Sequence, residues 1–456
     1  MKKILIVILL LVSSNALCAA PKKTIFDIAA HGNVSELQKI LKSKVNVNAV
    51  DKNGKTPLMY AAEMNRRPGV INALIRAGAR VNGKDRKGMT PLIYAIKNNL
   101  NPVIIASLIK AGAKVNDKSN DDSTPLMFAI GRIPVNPDIT SMLIKAGASV
   151  DDKDKDGKTP LMLAVERIPE HPDITTMLIK AGARVDDKDK YGWTPLKYAV
   201  ESWNMKSIAL LIEAGAKVDD RDKYGGTPLM YTIQNGNLKA VTMLIEAGAK
   251  IDDRDIDGCT PLILASLNGY LDIITALIDA GAKIDDRNND GWTPFMYAVS
   301  KQKIPSSTRT KADIANENYQ HRKPIAALIK AGAKVNDKNK DGMTPLMLAA
   351  KTNQGGDTIR LLIQAGAKID EIDVNGMTAL MHAAKDNVNS ENAAFKVIDK
   401  TDLPNTSEVI IALISAGADC KVKDKKGKTA LDYMNENNVF ADYPQAYIAL
   451  KRKSSE

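Results

Sequence analysis

Aromatic residues are scarce in this 456-residue chain, 4% of the total against 44% hydrophobic residues overall. A large aromatic core is excluded, and the apolar mass must be spread through thin layers of Leu, Ile, Ala and Met. Cysteine is nearly absent. Cys18, Cys259 and Cys420 are too few and too far apart to build a disulfide-stapled domain. Histidine is as rare: His31, His171, His321 and His382 stand apart, with no Cys or carboxylate at ligand spacing. They read as surface or loop residues, and no metal is expected. Also missing are H-E-x-x-H, G-x-S-x-G, G-x-x-x-x-G-K and any G-x-G-x-x-G in a meaningful context. No catalytic residue and no cofactor is expected, and the chain reads as not an enzyme.

Long hydrophobic runs are lacking too, except ILIVILLLV at 4–12. That is less than half of the roughly 20 residues needed to span a bilayer. Lys2 and Lys3 precede it and the small residues SSNALCAA follow, the pattern of a secretory signal peptide over 1–19. No transmembrane segment is expected in the mature chain. The short Lys-Lys start resembles a bacterial signal, so the expected location is periplasmic or secreted.

The net charge of +11 is not gathered into one field. Bases alternate with acids, as in GAKVDDRDKYG at 215–225, which gives a solvated, ion-paired face. No basic cluster carries stacking aromatics, so nucleic acid is not an expected partner.

What the chain does have is a phrase that repeats. At 151–164 it reads DDKDKDGKTPLMLA, in which Asp152, Asp154, Asp156 and Gly157 spell the first half of a calcium loop. The twelfth position, where such a loop needs a bidentate Glu, is Leu163; in the copies at 253–258, 286–291 and 337–342 it is Leu264, Tyr297 and Leu348. The ninth positions are Pro160, Pro261, Pro294 and Pro345, which suit a helix start. The calcium reading fails for want of ligands.

The repeat itself organises the chain. Thr56, Thr90, Thr124, Thr159, Thr194, Thr227, Thr260, Thr293, Thr344 and Thr378 each open a T-P-L-like step, with weaker copies at Thr24 and Thr429. From Thr56 on, steps are 33 to 35 residues, except two of 51 that hold insertions near 301–324 and 386–408. In the unit at 227–258, Leu229, Met230 and Ile233 form one helical face, and Asn237 can cap a second helix carrying Ala240, Val241, Leu244 and Ile245. Gly248 supplies a left-handed stop, and Asp255 and Gly258 form the following turn.

On these residues the chain resembles the ankyrin repeat: a turn, a T-P-L helix, a loop and a second helix ending in A-G-A, ten times in phase. The resemblance runs from about residue 24 to 450. It implies an all-α repeat solenoid, a curved elongated rod of about twelve helix-turn-helix plus β-hairpin units. In that reading 20–55 is an N-terminal capping repeat, 56–428 the array, and 429–456 a C-terminal capping repeat with a basic tail. The two insertions fall between the helices of their repeats, as surface loops or disordered spacers.

The family usually places His after T-P-L, tying a helix to the neighbouring hairpin. Here Met59, Ile93, Met127, Met162, Met230, Ile263, Met296, Met347 and Met381 stand there, so thioether packing is expected in its place. After A-G-A, where the family commonly has Asp, stand Arg80, Lys114, Arg184, Lys217, Lys250, Lys283, Lys334 and Lys368. Pairing with the Asp residues next along is favoured over an anion-binding stripe.

Function, on this resemblance, is protein binding along a concave face made of hairpin tips and inner helices, by a monomer. A structural role against anionic cell-wall polymer is the alternative. Two columns draw attention. Met89, Trp193, Trp292, Met343 and Met377 precede the Thr, and Tyr60, Tyr94, Phe128, Tyr198, Tyr231, Tyr297 and Tyr433 lie four after it. Packing between repeats competes with partner contact for both columns. The candidate partner-binding residues are Tyr191, Trp193, Tyr198, Tyr224, Tyr231, Trp292 and Tyr297, where aromatic rings concentrate.

Overall fold

Each T-P-L step starts a helix for a reason visible atom by atom. In the unit at Thr56, the Thr adopts φ −89° and ψ 163°, and its hydroxyl accepts the Met59 amide at 3.3 Å. Pro57 fills the first helical position, where no N–H is required. The Thr56 amide in turn donates to Met59 Sδ at 3.3 Å. This is a capping box with a thioether in the place of the usual Glu or Gln. Thr124 with Met127, Thr159 with Met162 and Thr344 with Met347 repeat the donation to sulfur at 3.4 Å. At these four positions the methionine packs and also accepts a hydrogen bond.

The computed structural model describes residues 23–99, 101–131, 135–167, 172–300, 322–352, 354–386, 405–436 and 443–456. The expected signal peptide and most of both insertions lie outside the described residues. The chain divides into two compact units, Met1–Lys190 and Tyr191–Glu456. In the first, described helices pair as Ile25–His31 with Val34–Lys42, Pro57–Met64 with Pro68–Arg76, Pro125–Ile130 with Pro137–Lys145 and Pro160–Arg167 with Pro172–Lys180. Between these, Pro91–Tyr94 runs on into a π-helical turn, Ala95–Asn99, before Pro102–Lys110. The second unit opens with Pro195–Glu201 and Met205–Glu213 and ends with Ala430–Glu436 and Pro444–Ser455. One insertion leaves between Pro294–Ser300 and a helix at 322–330, the other between Ala379–Asp386 and Asn405–Ser415.

In several pairs an Asn side chain caps the second helix, as Asn33, Asn101, Asn136, Asn204 and Asn237 do, whereas Pro68–Arg76, Leu271–Asp279 and Gly356–Gln364 have no side-chain cap. Asn237 Oδ1 accepts the Ala240 amide at 3.1 Å, opening Leu238–Glu246. Gly248 ends that helix at φ 87°, and the Ala249 amide donates back to the Leu244 carbonyl at 2.9 Å. The core is built where the period puts it. Leu229, Met230, Ile233, Val241 and Leu244 are all buried in the Thr227 unit.

The expected β-hairpins are absent as strands: among the described residues no strand is assigned. The reason is that each finger holds a single tight turn. Asp222 N–H donates to the Gly226 carbonyl at 3.1 Å and Gly225 N–H to the Asp222 carbonyl at 3.1 Å. One further bond, Ile256 N–H to the Tyr224 carbonyl at 3.3 Å, joins that turn to the next. A ladder needs more rungs than this.

Charge binds successive repeats along two columns. In the first, a Lys or Arg before the turn's leading Asp, Ser or Asn reaches to the next repeat. Lys118 and Lys153 donate to the Lys153 and Lys188 carbonyls at 3.2 and 2.8 Å. In the second unit Arg254 pairs with Asp286 at 2.9 Å and donates to the Arg287 carbonyl, and Arg287 pairs with Asp337 at 2.6 Å. In the second column, the residue after A-G-A looks back instead. Lys250 N–H donates to Asp219 Oδ1 at 2.8 Å, and the Lys283 and Lys334 side chains face Asp252 and Asp285 at 3.9 and 3.6 Å. The acids engaged here belong mainly to the preceding repeat, not to the residues next along. The turn that follows keeps its own Asp for its own amides.

Candidate partner-binding face

The turn Asp and the aromatic residue nine positions later form one structural element. Asp222 Oδ1 accepts the amides of Tyr224 and Gly226 at 2.8 and 3.0 Å, and its other oxygen accepts the Tyr231 hydroxyl. The same bond joins Tyr60 to Asp51 at 2.9 Å, Tyr94 to Asp85 at 2.7 Å and Tyr433 to Asp424 at 2.5 Å. Burial, then the bond to the neighbouring Asp, pushes the Tyr94 and Tyr231 hydroxyls well above the usual phenol range. In the Thr378 unit His382 takes the place of Tyr, 3.1 Å from Asp373 Oδ2. Where Asn288 replaces the Asp, the direction reverses, and Asn288 Nδ2 donates to the Tyr297 hydroxyl at 2.9 Å.

These bonds supply a polar tie between turn and helix, one residue later than the family's His. The signal was in the sequence, as Asp51/Tyr60, Asp85/Tyr94, Asp222/Tyr231 and Asp424/Tyr433 at a constant spacing. His382 is a correction to the surface reading of the histidines, because its Asp partner lets the imidazole be buried to 5% exposure. His31 is exposed, and His171 and His321 lie outside the described residues.

The seven candidate residues divide by depth. Tyr224 and Tyr191 stand out from the turns at 59% and 46% exposure. Trp193 and Trp292 are half-buried, each against the tyrosine of its own repeat, with ring centroids 5.3 Å from Tyr198 and 4.9 Å from Tyr297. Tyr198 is buried, while Tyr231 and Tyr297 are half-buried and fixed at their hydroxyls. Sequence reasoning passed over Ile256, 63% exposed on the turn next to Tyr224. Together Tyr191, Tyr224 and Ile256 give three successive turns an apolar tip.

It also passed over Lys197, which stands in the column that is otherwise Met or Ile. Its side chain is 4% exposed and its Nζ pairs with Glu201. The same Nζ lies 4.5 Å from the Trp193 ring centroid and 2.7 Å from that of Tyr231. The residue before Thr227 is Gly226, and any Cβ there would come within 2.7 Å of the Tyr231 ring. That missing side chain leaves the ring face to the lysine. Burial lowers the Lys197 ammonium to about 8, against the opposing pull of Glu201.

Cys259 and Cys420 are free and buried. Burial first, with Asp255 beside it, pushes the Cys259 thiol up to about 11, and Cys420 is raised as well. A buried thiol that stays protonated is a poor nucleophile and a poor intermolecular disulfide partner. Peptide mapping after treatment of native protein with a thiol reagent at pH 8 is expected to find both unlabelled, and both labelled after denaturation.

Among the described residues no group of His, Cys, Asp and Glu is placed to hold a metal ion. None of the described helices is long and apolar enough to cross a membrane.

A family model described as ankyrin repeats, three copies to the model, matches overlapping windows at 3–85, 25–119, 67–154, 101–189, 134–222, 170–255, 229–306 and 313–402. No curated protein matches the chain.

Proposed function

The chain belongs to the ankyrin-repeat family, and on that premise we propose that it is a non-enzymatic scaffold binding a protein partner on its concave face. Ankyrin repeats are in general protein–protein interaction modules. The observation that carries the finer reading is the apolar tip of three successive turns: Tyr191 and Tyr224 stand just before the turn glycine, a column that is elsewhere charged or Asn, and Ile256 stands one position earlier in the next turn. Rigid aromatic side chains give large contact area with few rotors to freeze. Trp193, Trp292, Tyr198, Tyr231 and Tyr297 support that surface from beneath. The partner meets Tyr191 and Tyr224 first, and the deeper rings hold the turns in place.

The same reading sets the mature chain, as a monomer, in a bacterial periplasm or outside the cell. Its support is the basic start and short apolar run at 2–12. Affinity capture from envelope extract at low and moderate salt tests both statements. One stoichiometric protein retained at moderate salt is expected, and Tyr224→Ala is expected to weaken its capture about tenfold or more without lowering the melting temperature. Salt-labile sedimentation with purified cell wall, or undiminished capture by Tyr224→Ala, would count against the concave-face reading.

A further inference from the structure

Trp203 lies in the loop between the two helices of the Thr194 repeat, at φ 56°. The next two repeats close the same loop with glycine, Gly236 at φ 70° and Gly269 at φ 69°. A bulky L-residue in this left-handed region is a true outlier and is strained. Nothing in the loop requires it. Asn204 turns the chain by donating its amide to the Ala199 carbonyl at 2.9 Å, and its side chain caps the following helix at Ser207 N–H, 3.1 Å away. Nor does burial offset the strain, because Trp203 is 55% exposed. Glycine would serve the backbone better, so what tryptophan adds is an exposed ring.

The surroundings give that ring a context. Met205 opens the helix two residues on, and its Sδ accepts Asn237 Nδ2 from the next repeat at 3.4 Å, so the two loops abut. Leu238, at the start of the next repeat's second helix, is 38% exposed. Lys206 and Lys239 occupy the second position of their two helices, both exposed and neither in an ion pair among the described residues. In the following repeat the same position is Asp272.

We propose that this inter-helix edge is a docking site for an acidic, apolar segment of a partner polypeptide. An apolar side chain of the partner covers Trp203 and Leu238, and its carboxylates meet Lys206 and Lys239. Charge complementarity selects this occupant. A second copy docking edge to edge would set lysines against lysines. A nucleic-acid backbone needs a longer track of cations than two positions closed off by Asp272. The site is separate from the concave face, so its test stands apart from the capture experiment above.

The probe is a fluorescein-labelled synthetic dodecapeptide with a central Leu-x-x-Phe flanked by Glu. Two controls accompany it, one with Lys for every Glu and one with Ala for Leu and Phe. Each is titrated by anisotropy into the full-length wild type, Trp203→Gly and Trp203→Ala. Of the three peptides only the acidic apolar one is expected to bind wild type, and it is expected to bind both variants about tenfold or more weakly. Trp203→Gly is expected to melt above wild type, which separates loss of the ring from loss of the fold. No binding of the acidic peptide, equal binding of the Lys control, or unchanged binding to Trp203→Gly would each overturn the proposal.

Discussion

Replacing Lys197 by methionine is expected to raise the stability of the protein at neutral pH by about 1–3 kcal/mol, read as a higher urea midpoint. The ammonium is buried, and its titration is displaced from 10.5 to about 8. Each unit of displacement corresponds to about 1.4 kcal/mol, so below pH 8 the folded chain bears a penalty of ~3 kcal/mol that the unfolded chain escapes. Some of this is offset by the faces of Trp193 and Tyr231, which methionine would exchange for ordinary packing. Glu201, at its 36% side-chain exposure, can be hydrated once its partner is gone. The sign with pH follows from proton counts. Between about 8 and 10.5 the unfolded chain holds the Lys197 proton and the folded chain has released it, so wild-type stability gains with rising pH. The gap to Lys197→Met is therefore widest below pH 8 and closes by about pH 10.5. The tyrosines titrate alike in both proteins and largely cancel from the difference. A variant no more stable than wild type at pH 7 would show that the aromatic faces and Glu201 fully compensate the burial.

Lys197 also shows what the sequence could and could not reveal. The phase of T-P-L placed the helices, and Asn237, Gly248 and Asp255 could be assigned as cap, stop and turn because each acts on backbone within four residues of itself. Column alignment placed Tyr198, Tyr231 and Tyr297 together but left their depth open. Depth depends on what the adjoining repeat contributes. Gly226, lacking a side chain, exposes the Tyr231 ring to a lysine from the preceding repeat, a relation that no single repeat contains. The hairpins were overdrawn for a different reason. Asp and Gly at fixed places specify a turn, but they carry no information on how many rungs lie beyond it. Trp203 needed one more alignment, of the inter-helix loops, where Gly236 and Gly269 mark the conformation that it is forced to share.

The turn Asp is where a small chemical change is expected to separate large effects from small ones. Asp222→Ala removes the acceptor for two backbone amides and for the Tyr231 hydroxyl at once. Its cost is expected to be about 2–4 kcal/mol, since donors partly shielded from water are left without partners. Tyr231→Phe deletes one of the three bonds and leaves the turn intact, for about 1 kcal/mol. Asp222→Asn should cost less than about 1 kcal/mol, because the carbonyl oxygen still accepts both amides and the new amide nitrogen can donate to the phenol. That arrangement already exists in this chain. Asn288 accepts the amides of Asp290 and Trp292 at 3.0 and 2.8 Å while donating to Tyr297. The order Ala, then Phe, then Asn in decreasing cost can be read from urea midpoints of the three variants. The double variant Asp222→Ala with Tyr231→Phe should cost less than the two single costs summed, because the hydroxyl that Asp222→Ala strands is then absent. Equal costs for Ala and Asn at position 222 would mean that the turn is held by its backbone bonds alone, and that the recurring Asp–Tyr spacing is a by-product of the repeat.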